Sequence, residues 1–281
     1  MRRAVWLVLI GIISVQAGAA FAKDIFDTVS PTALVFLRLL TSTIVLLAVA
    51  RPSTRGQSRT DWLVVAGFGL SLGLMNWAIY QSFARIPLGI AVTIEFIGPL
   101  ALSVFGSGRA KDFIWIGLAA LGVVLLGFEP ADLNAAGVAF ALLAGAAWAC
   151  YIVLSAATGR RWPGLDGLAI ASGVATLVLT GPAIASGRTA LLDPRVLLIG
   201  AIIGVLSSVI PYSCELIALR TLPPNVFGIL MSLEPAAAAL AALVVLEEML
   251  SALQWLAIGC VVLASVGATR SQPVLNEPAP N

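Results

Sequence analysis

Four ionisable side chains lie inside apolar stretches of this sequence, where they could bind a charged substrate or carry protons. They are Arg38, Glu95, Glu215 and Glu234. Acidic residues at the centre of a membrane helix cost about 2.5 to 3.5 kcal/mol on insertion scales, so they usually face a protein interior or a wet cavity. Because burial disfavours the charged form of a carboxyl group, three glutamates beside one arginine leave at least one glutamate as a candidate proton carrier.

Each of these residues also has a purely structural interpretation. An ion pair between Arg38 and a glutamate would fix the register of two helices without binding a substrate. Glu215 lies about one helical turn from Arg220, so a surface or gating salt bridge is the alternative for it. The sequence alone leaves these alternatives open.

Glu95 and Glu234 lie in two similar segments, 87–99 and 223–235, which each begin and end on proline. A proline inside a helix has no N–H for the carbonyl four residues earlier. Such freed carbonyls suit a kinked helix beside a water-lined cavity, although a simple kink without function is the alternative. Three prolines lie inside predicted helices in this way: Pro99, Pro211 and Pro235.

Polar and aromatic side chains in the same apolar runs are secondary candidates for the lining of a binding site. Tyrosine and tryptophan near the ends of membrane helices are more often interface anchors than ligands. Gln16 and Asn76 lie deeper, where an amide needs a partner, so each either bonds to another helix or lines a cavity. The full set is Gln16, Asn76, Tyr80, Trp148, Tyr151, Tyr212 and Ser232.

The composition predicts a polytopic, all-α membrane protein. Hydrophobic residues make up 60% of the chain and charged residues 11%, whereas soluble domains are about 25% charged. Histidine is absent from the sequence, which excludes histidine metal sites and imidazole-based triads and relays, and we expect no cofactor. The net charge of +2 is too small to predict nucleic-acid binding. Isolated cysteines in apolar runs are expected to be packing residues: Cys150, Cys214 and Cys260.

Ten apolar runs approach or reach the length of about 20 residues that crosses a hydrocarbon core. The breaks between them are too short for a soluble domain, and residues 270–281 form a polar tail that we expect to be disordered. The first run resembles a signal peptide, but it is long for one, so we interpret it as a membrane helix. The runs are 4–22, 31–50, 62–84, 89–106, 113–128, 134–157, 167–185, 196–219, 224–246 and 252–269.

The basic residues between the runs predict the orientation of the chain. With the N-terminus in the cytoplasm, eleven basic residues fall on the inner side and four on the outer side. Basic residues favour the cytoplasmic side of a membrane. Ten crossings then place both termini in the cytoplasm.

The two halves of the chain repeat each other. Residues 17–22 (A-G-A-A-F-A) recur as 144–149 (A-G-A-A-W-A) at an offset of 127, and 87–99 recurs as 223–235 at an offset of 136. Because a five-helix unit has an odd number of crossings, its second copy enters the membrane from the opposite side, which is an architecture of secondary transporters. We predict ten transmembrane helices as two inverted five-helix repeats around a central cavity: 4–128 and 134–269.

Six segments carry the most distinctive residue patterns. They are V-Q-A-G-A-A-F-A-K (15–23), F-L-R-L-L (36–40), M-N-W-A-I-Y (75–80), P-L-G-I-A-V-T-I-E-F-I-G-P-L (87–100), P-Y-S-C-E-L-I-A-L (211–219) and F-G-I-L-M-S-L-E-P (227–235). Together they resemble the EamA-type, ten-helix branch of the drug/metabolite transporter superfamily, and most closely the bacterial threonine and homoserine exporters. The resemblance covers about residues 4 to 270. One departure is Glu247, because the family tends to have glycine before the glutamate at 248.

This resemblance implies efflux of a small metabolite across the bacterial inner membrane, driven by the proton gradient. A zwitterionic amino acid needs a cation for its carboxylate and an anion for its ammonium group, which Arg38, Glu95 and Glu234 supply. We therefore expect an exporter of small polar amino acids, and another small metabolite or a cationic drug is the alternative. Protons and membrane lipids are the other expected partners, and the oligomeric state, including a homodimer, stays open.

An intramembrane enzyme is the interpretation from another functional class. It would need a serine with a base, paired aspartates or a histidine-bound metal, and no aspartate lies in a predicted membrane run. A channel would be expected to show a selectivity-filter sequence or a repeated ring of charges, and the sequence has neither. We therefore predict a transporter and not an enzyme.

Overall fold

The structure is a computed structural model that describes residues 2–107, 109–126, 134–219, 222 and 224–271. Within these residues all regular structure is helical. The first half contains α1 (Arg2–Asp24), α2 (Pro31–Ala50), α3 (Arg59–Phe83), α4 (Leu88–Glu95), α5 (Ile97–Ser107) and α6 (Phe113–Leu126).

The second half contains seven further α-helices within the described residues. They are α7 (Ala135–Gly159), α8 (Asp166–Gly187), α9 (Pro194–Gly204), α10 (Ile210–Leu219), α11 (Pro224–Met231), α12 (Glu234–Val245) and α13 (Ala252–Ser271). A π-helical turn, Val205–Val209, joins α9 to α10. Single 3-10 segments precede α6 and follow α8: Ala110–Asp112 and Arg188–Leu192.

Eight helical segments of the described chain are long and apolar enough to cross a membrane. They confirm eight of the ten predicted runs as helices of sufficient length. The runs 113–128 and 196–219 stay predictions, because α6 has 14 residues and the π turn divides the other run. The eight are Arg3–Asp24, Pro31–Ala50, Arg59–Phe83, Leu88–Gly106, Ala135–Gly159, Asp166–Leu192, Val226–Val245 and Ala252–Arg270.

Polar caps set the residues at which three long helices begin. The side chain of Ser30 accepts a hydrogen bond from the first turn of α2, and that of Asn134 accepts two from the first turn of α7. Ser58 and Asp61 form a reciprocal capping box at the start of α3. Each cap contributes about 1 kcal/mol to helix stability. These three helices all contribute side chains to the cavity described below.

The first proline-bounded segment is an interrupted helix, because Phe96 separates α4 from α5. Pro99 has no N–H to donate to the carbonyl of Glu95, as the sequence predicts. At this junction a Cβ atom on Gly98 would overlap the carbonyl oxygen of Gly145 in α7. Only glycine therefore allows the two backbones to approach this closely.

The second proline-bounded segment is interrupted at the matching position. Ser232 and Leu233 separate α11 from α12, and Glu234 is the first residue of α12. At the offset of 136, Phe96 corresponds to Ser232. Both helices for which the prolines predict a kink are therefore interrupted beside their glutamates.

Helix packing follows the same pattern in both halves. The helix α1 packs along α10 and the π turn, and α7, its predicted counterpart, packs along α3. Three other contacts join predicted counterpart runs directly: α2 with α8, α6 with α13, and the run 89–106 with the run 224–246 through α4 and α12. At the level of whole runs, exchanging the two halves leaves this set of contacts unchanged, as expected of a duplicated unit.

The largest cluster of buried apolar side chains lies where the two halves meet. It includes Leu34 of α2, Leu72 of α3, Ile90 of α4, Ala141 of α7 and Ala238 of α12. Because lipid is as apolar as these side chains, close packing rather than transfer from water holds such helices together. The cluster therefore fixes the relative positions of the five helices that carry most of the candidate site residues.

The turn after α12 holds a non-glycine residue in a left-handed conformation. Glu247 has a φ of 54°, and the N–H of Glu248 donates to the carbonyl of Ala242 at 3.2 Å. A residue with this φ closes the end of a helix, and glycine is favoured there because it has no Cβ. This geometry explains why the family tends to have glycine at position 247, where this chain has glutamate.

We expect Glu247→Gly to stabilise the protein by about 1 kcal/mol, because it removes the steric cost of a left-handed residue. Thermal unfolding in detergent, followed by tryptophan fluorescence, measures the change. Glu247→Ala is the matched control, because it removes the exposed carboxylate and keeps the Cβ atom. An equal gain from alanine would show that the charge, and not the backbone conformation, is responsible.

Candidate functional site

A cavity of about 700 Å³ lies between the two halves of the helix bundle. Side chains from both halves line it, including residues of both interrupted helices. A volume of this size is typical of small-molecule sites, which measure about 300 to 1,000 Å³. It is the best candidate for a substrate site in the described part of the chain.

The cavity brings together most of the predicted site residues. Arg38, Glu95 and Glu234 each retain 8% exposure and line its wall. Gln16, Asn76 and Trp148 line it as well. The cavity therefore offers one cationic and two acidic side chains, from three different helices, within an otherwise largely apolar wall.

Four of these polar residues lie at a common depth. Arg38 and Glu95 follow the starts of α2 and α4 by about two helical turns, and Gln16 and Asn76 precede the ends of α1 and α3 by about the same distance. All four helix ends are on the predicted outer side. Glu234 lies deeper, near the middle of the segment formed by α11 and α12.

Arg38 is held by the π turn between α9 and α10. Its Nη2 donates to the carbonyl oxygen of Ser207 at 2.9 Å, and its Nε donates to the hydroxyl of Ser208 at 3.4 Å. The guanidinium also lies over the ring of Tyr80, at 5.7 Å from the ring centroid. π turns are rare and are often found at functional sites. The arrangement presents a fixed cation to the cavity.

Glu95 is the last residue of α4 and interacts electrostatically with Arg38. Among the described residues, these two side chains do not form an ion pair within 4.0 Å. Both side chains line the same cavity. A small molecule with charges of both signs could therefore bind between them.

The two amides behave differently from each other. Asn76 Nδ2 donates to the carbonyl of Leu72 in its own helix at 2.9 Å, so its Oδ1 is left for the cavity. The side chain of Gln16 makes no hydrogen bond with any residue that the structure describes. Neither amide bonds to a neighbouring helix in this part of the chain, which favours the cavity interpretation over the interhelical one.

Two other candidates lie outside the cavity wall. Tyr80 is fully buried, packs against Phe26 and Phe83, and contacts the site through Arg38. Ser232 forms an interhelical hydrogen bond of 2.7 Å with Ser265, which does line the cavity. Roles for these two residues in binding stay predictions.

Tyr212 and Glu215 lie on the backbone of α10, but their side chains are outside the described part of the structure. Arg220, the suggested partner of Glu215, is outside it as well. Their roles also stay predictions.

The main residue that the sequence interpretation missed is Ser207, which lines the cavity and holds Arg38. A signal for it was present, because Ser207 is four residues before Pro211 and so carries the carbonyl that the proline frees. Other lining residues have no polar pattern that would select them from the sequence, among them Met75, Phe96, Phe227 and Thr269.

A three-way contact joins separate elements at the predicted outer end of the bundle. Lys23, near the end of α1, pairs with Glu248 and donates to the carbonyl of Ile86 at 2.8 Å. Glu248 also accepts from the N–H of Leu88, the first residue of α4, at 2.9 Å. An anion is favoured at the N-terminus of a helix, and Pro87 supplies no side-chain cap there. The contact therefore ties α1, α4 and the turn after α12 together.

The cavity extends toward the predicted inner end. Its lining reaches Gly106 in the last turn of α5, Thr269 in the last turn of α13 and Phe227 in the first turn of α11. All three helix ends lie on the side to which the charge pattern assigns the cytoplasm. The lining also includes Phe83, the last residue of α3, so the cavity extends from near the predicted outer end, where the polar contact lies, to the predicted inner end.

Comparison with known proteins assigns the family. The model of the EamA-like transporter family matches this chain twice, over residues 2–128 and 135–270. The chain belongs to the EamA-like transporter family. Its EamA-like matches fall on the two halves whose helix contacts correspond. As predicted, the protein is therefore a multi-pass membrane transporter and not an enzyme.

Curated relatives within this family match nearly the whole chain. The threonine/homoserine exporter RhtA of Escherichia coli (strain K12) is 39% identical over 272 residues, which are 94% of this chain and 92% of that protein. The RhtA of Salmonella typhimurium (strain SL1344) is 39% identical over 286 residues, or 97% and 96%. A solved crystal structure at 19% identity superposes with a TM-score of 0.64 over 94% of this chain and 96% of its own. This last likeness shows the fold alone.

Proposed function

We propose that this protein exports small polar amino acids of the threonine and homoserine type across the bacterial inner membrane by proton antiport. The observation that carries the proposal is the cavity that is lined by Arg38 and by two acidic side chains, Glu95 and Glu234. The 39% identity to threonine/homoserine exporters over most of the chain supports the same class of substrate. Both termini are cytoplasmic in this proposal.

The charges of the cavity match those of a zwitterion. Arg38 would bind the substrate carboxylate, since a planar guanidinium forms paired hydrogen bonds with a carboxylate. Glu95 and Glu234 would bind the ammonium group. A purely cationic substrate has no carboxylate for Arg38 to bind, and the charge of Arg38 would repel it. The presence of Arg38 therefore favours an amino acid over a cation as the substrate.

Proton antiport follows if a proton and the substrate ammonium group compete for the same carboxylate. A glutamate that binds the ammonium group is unprotonated, and a protonated glutamate no longer attracts a cation. The site then carries either substrate outward or a proton inward. This mutual exclusion is the minimal requirement for exchange.

The proposed transport cycle uses two oppositely inserted five-helix halves, 4–128 and 134–269. The contact pattern that is unchanged on exchanging the halves supports this arrangement, as does the double family match. Rocking of one half against the other would expose the cavity alternately to the two sides of the membrane. In this cycle the contact of Lys23 with Glu248 would hold the outer side closed.

Uptake by inside-out membrane vesicles tests the proposal. With an acidic lumen, we expect vesicles that contain the protein to accumulate radiolabelled threonine several-fold above vesicles that lack it. An uncoupler should collapse the accumulation. Absence of protein-dependent uptake contradicts the substrate class, whereas uptake that ignores the uncoupler contradicts proton coupling.

A cationic drug is the second candidate substrate. The observation that favours it is the aromatic part of the wall, where Phe96 and Trp148 pack edge to face with their centroids 5.2 Å apart. Aromatic side chains attract cations. Competition of lipophilic cations with threonine in the same vesicles distinguishes the two candidates.

A further inference from the structure

Arg38 is anchored on one side of its guanidinium only. The Nε–H and one Nη2–H lie on the same edge of this planar group, and Ser208 and Ser207 accept from them. The remaining edge, formed by Nη1 and the second Nη2 hydrogen, has no partner among the described residues. This free edge has the two parallel N–H groups that a carboxylate requires.

The anchor exists because the helix contains a proline at position 211. In an α-helix the N–H of residue 211 would bond to the carbonyl of Ser207, and in a π-helix to that of Leu206. Proline has no N–H. Both carbonyls are taken by side chains of other helices: Arg38 donates to Ser207 at 2.9 Å, and Ser14 donates to Leu206 at 2.6 Å.

An amide hydrogen at position 211 would change this arrangement. It would compete for the Ser207 carbonyl, and it would favour closing the π turn into a regular helix. The π turn contains a hydrogen bond in which the N–H of Ile210 donates to the carbonyl of Val205, five residues earlier. Closing the turn would direct the Ser207 carbonyl along the helix axis and away from Arg38.

We propose that Pro211 is a positioning residue for substrate recognition. Because proline has no N–H, the Ser207 carbonyl is available to accept a hydrogen bond from one edge of the Arg38 guanidinium. This bond orients the opposite edge of the guanidinium for binding the substrate carboxylate. Ser208 has the same role through Nε. The proposal rests on the proposed function, because it assigns the carboxylate of an amino acid to Arg38.

The test compares Pro211→Ala with Pro182→Ala. Pro182 lies inside α8 and is exposed, so it controls for restoring an amide hydrogen in a membrane helix. We expect Pro211→Ala to raise the KM for threonine in inside-out vesicles about tenfold and to leave Vmax within twofold, because the arginine is present but poorly oriented. Pro182→Ala should change neither value. Ser208→Ala should raise the KM by a smaller factor of about two.

A second readout does not depend on the identity of the substrate. Phenylglyoxal modifies arginine side chains, and mass spectrometry measures its rate at Arg38 in the purified protein. We expect faster modification of Arg38 in Pro211→Ala than in the wild type or in Pro182→Ala, because the guanidinium is released from its anchor.

The outcomes separate the two proposals. If the wild type transports no threonine, the proposed function fails, and the modification rate still tests the role of Pro211. If the wild type transports threonine but Pro211→Ala changes neither the KM nor the modification rate, the positioning role is wrong. A fall in Vmax with an unchanged KM, or an equal KM change in Pro182→Ala, also overturns it.

Discussion

Replacing Arg38 with glutamine is expected to raise the KM for threonine by about 30-fold or more. Removing one member of a buried, hydrogen-bonded charge pair costs about 2 to 5 kcal/mol, and each 1.4 kcal/mol is a factor of ten in affinity. Glutamine keeps some hydrogen-bonding capacity and loses the charge that the substrate carboxylate needs. Threonine uptake by inside-out vesicles over a range of concentrations measures the change.

The matched control for this substitution is Arg161→Gln. Arg161 forms a partly exposed ion pair with Asp61 at 3.3 Å, away from the cavity, and such pairs contribute about 0 to 1 kcal/mol. We expect this variant to retain the wild-type KM. A KM that is also unchanged in Arg38→Gln, in protein of normal amount and fold, would assign Arg38 a structural role only.

The helices could be predicted from the sequence because hydropathy is a local property. A run of about 20 apolar residues must become a helix in lipid, where every backbone group needs an internal partner. The interruptions at Phe96 and Ser232 were also predictable, since each precedes a proline by three residues. The π turn was not, because it also depends on Ser14 and Arg38, which come from distant parts of the chain.

The sequence predicted most of the residues that line the candidate site, but it did not predict the contacts that these residues make. Charged and amide side chains in apolar runs pointed to the cavity, because such groups are costly in lipid. The same reasoning selected Tyr80, which instead packs beneath Arg38 with its hydroxyl unpaired in the described structure. The pair of Lys23 and Glu248 joins residues far apart in the chain, and nothing local predicts such a contact.

The two halves share a backbone plan but differ in their charges. At the offset of 136, Glu234 corresponds to Gly98, and Glu95 corresponds to Met231. Gly98 is needed for the close approach of α5 to α7, so its position cannot carry a side chain. Each half therefore contributes one acidic residue from a different place in the same motif, which makes the site asymmetric within a symmetric scaffold.

This asymmetry gives the two acidic residues different surroundings. Glu95 ends α4, and the C-terminus of a helix carries a partial negative charge that attracts cations. Glu234 begins α12, and the N-terminus of a helix carries a partial positive charge that repels them. Arg38 completes the set of charged side chains on the described cavity wall. Within the proposed function, we therefore expect Glu95 to be the stronger of the two sites for the ammonium group and for the proton that replaces it.

Glu95→Gln is accordingly expected to abolish accumulation of threonine driven by a pH gradient, because glutamine has the same shape and cannot exchange a proton. Its KM for threonine should also rise by about 30-fold, since a buried charge pair is lost. Exchange of labelled for unlabelled threonine at saturating concentration, with equal pH on both sides, should persist because it needs no proton. Glu234→Gln is the matched control and should keep its response to the gradient. Continued gradient-driven accumulation in Glu95→Gln, or its loss in Glu234→Gln alone, would transfer the proton to Glu234.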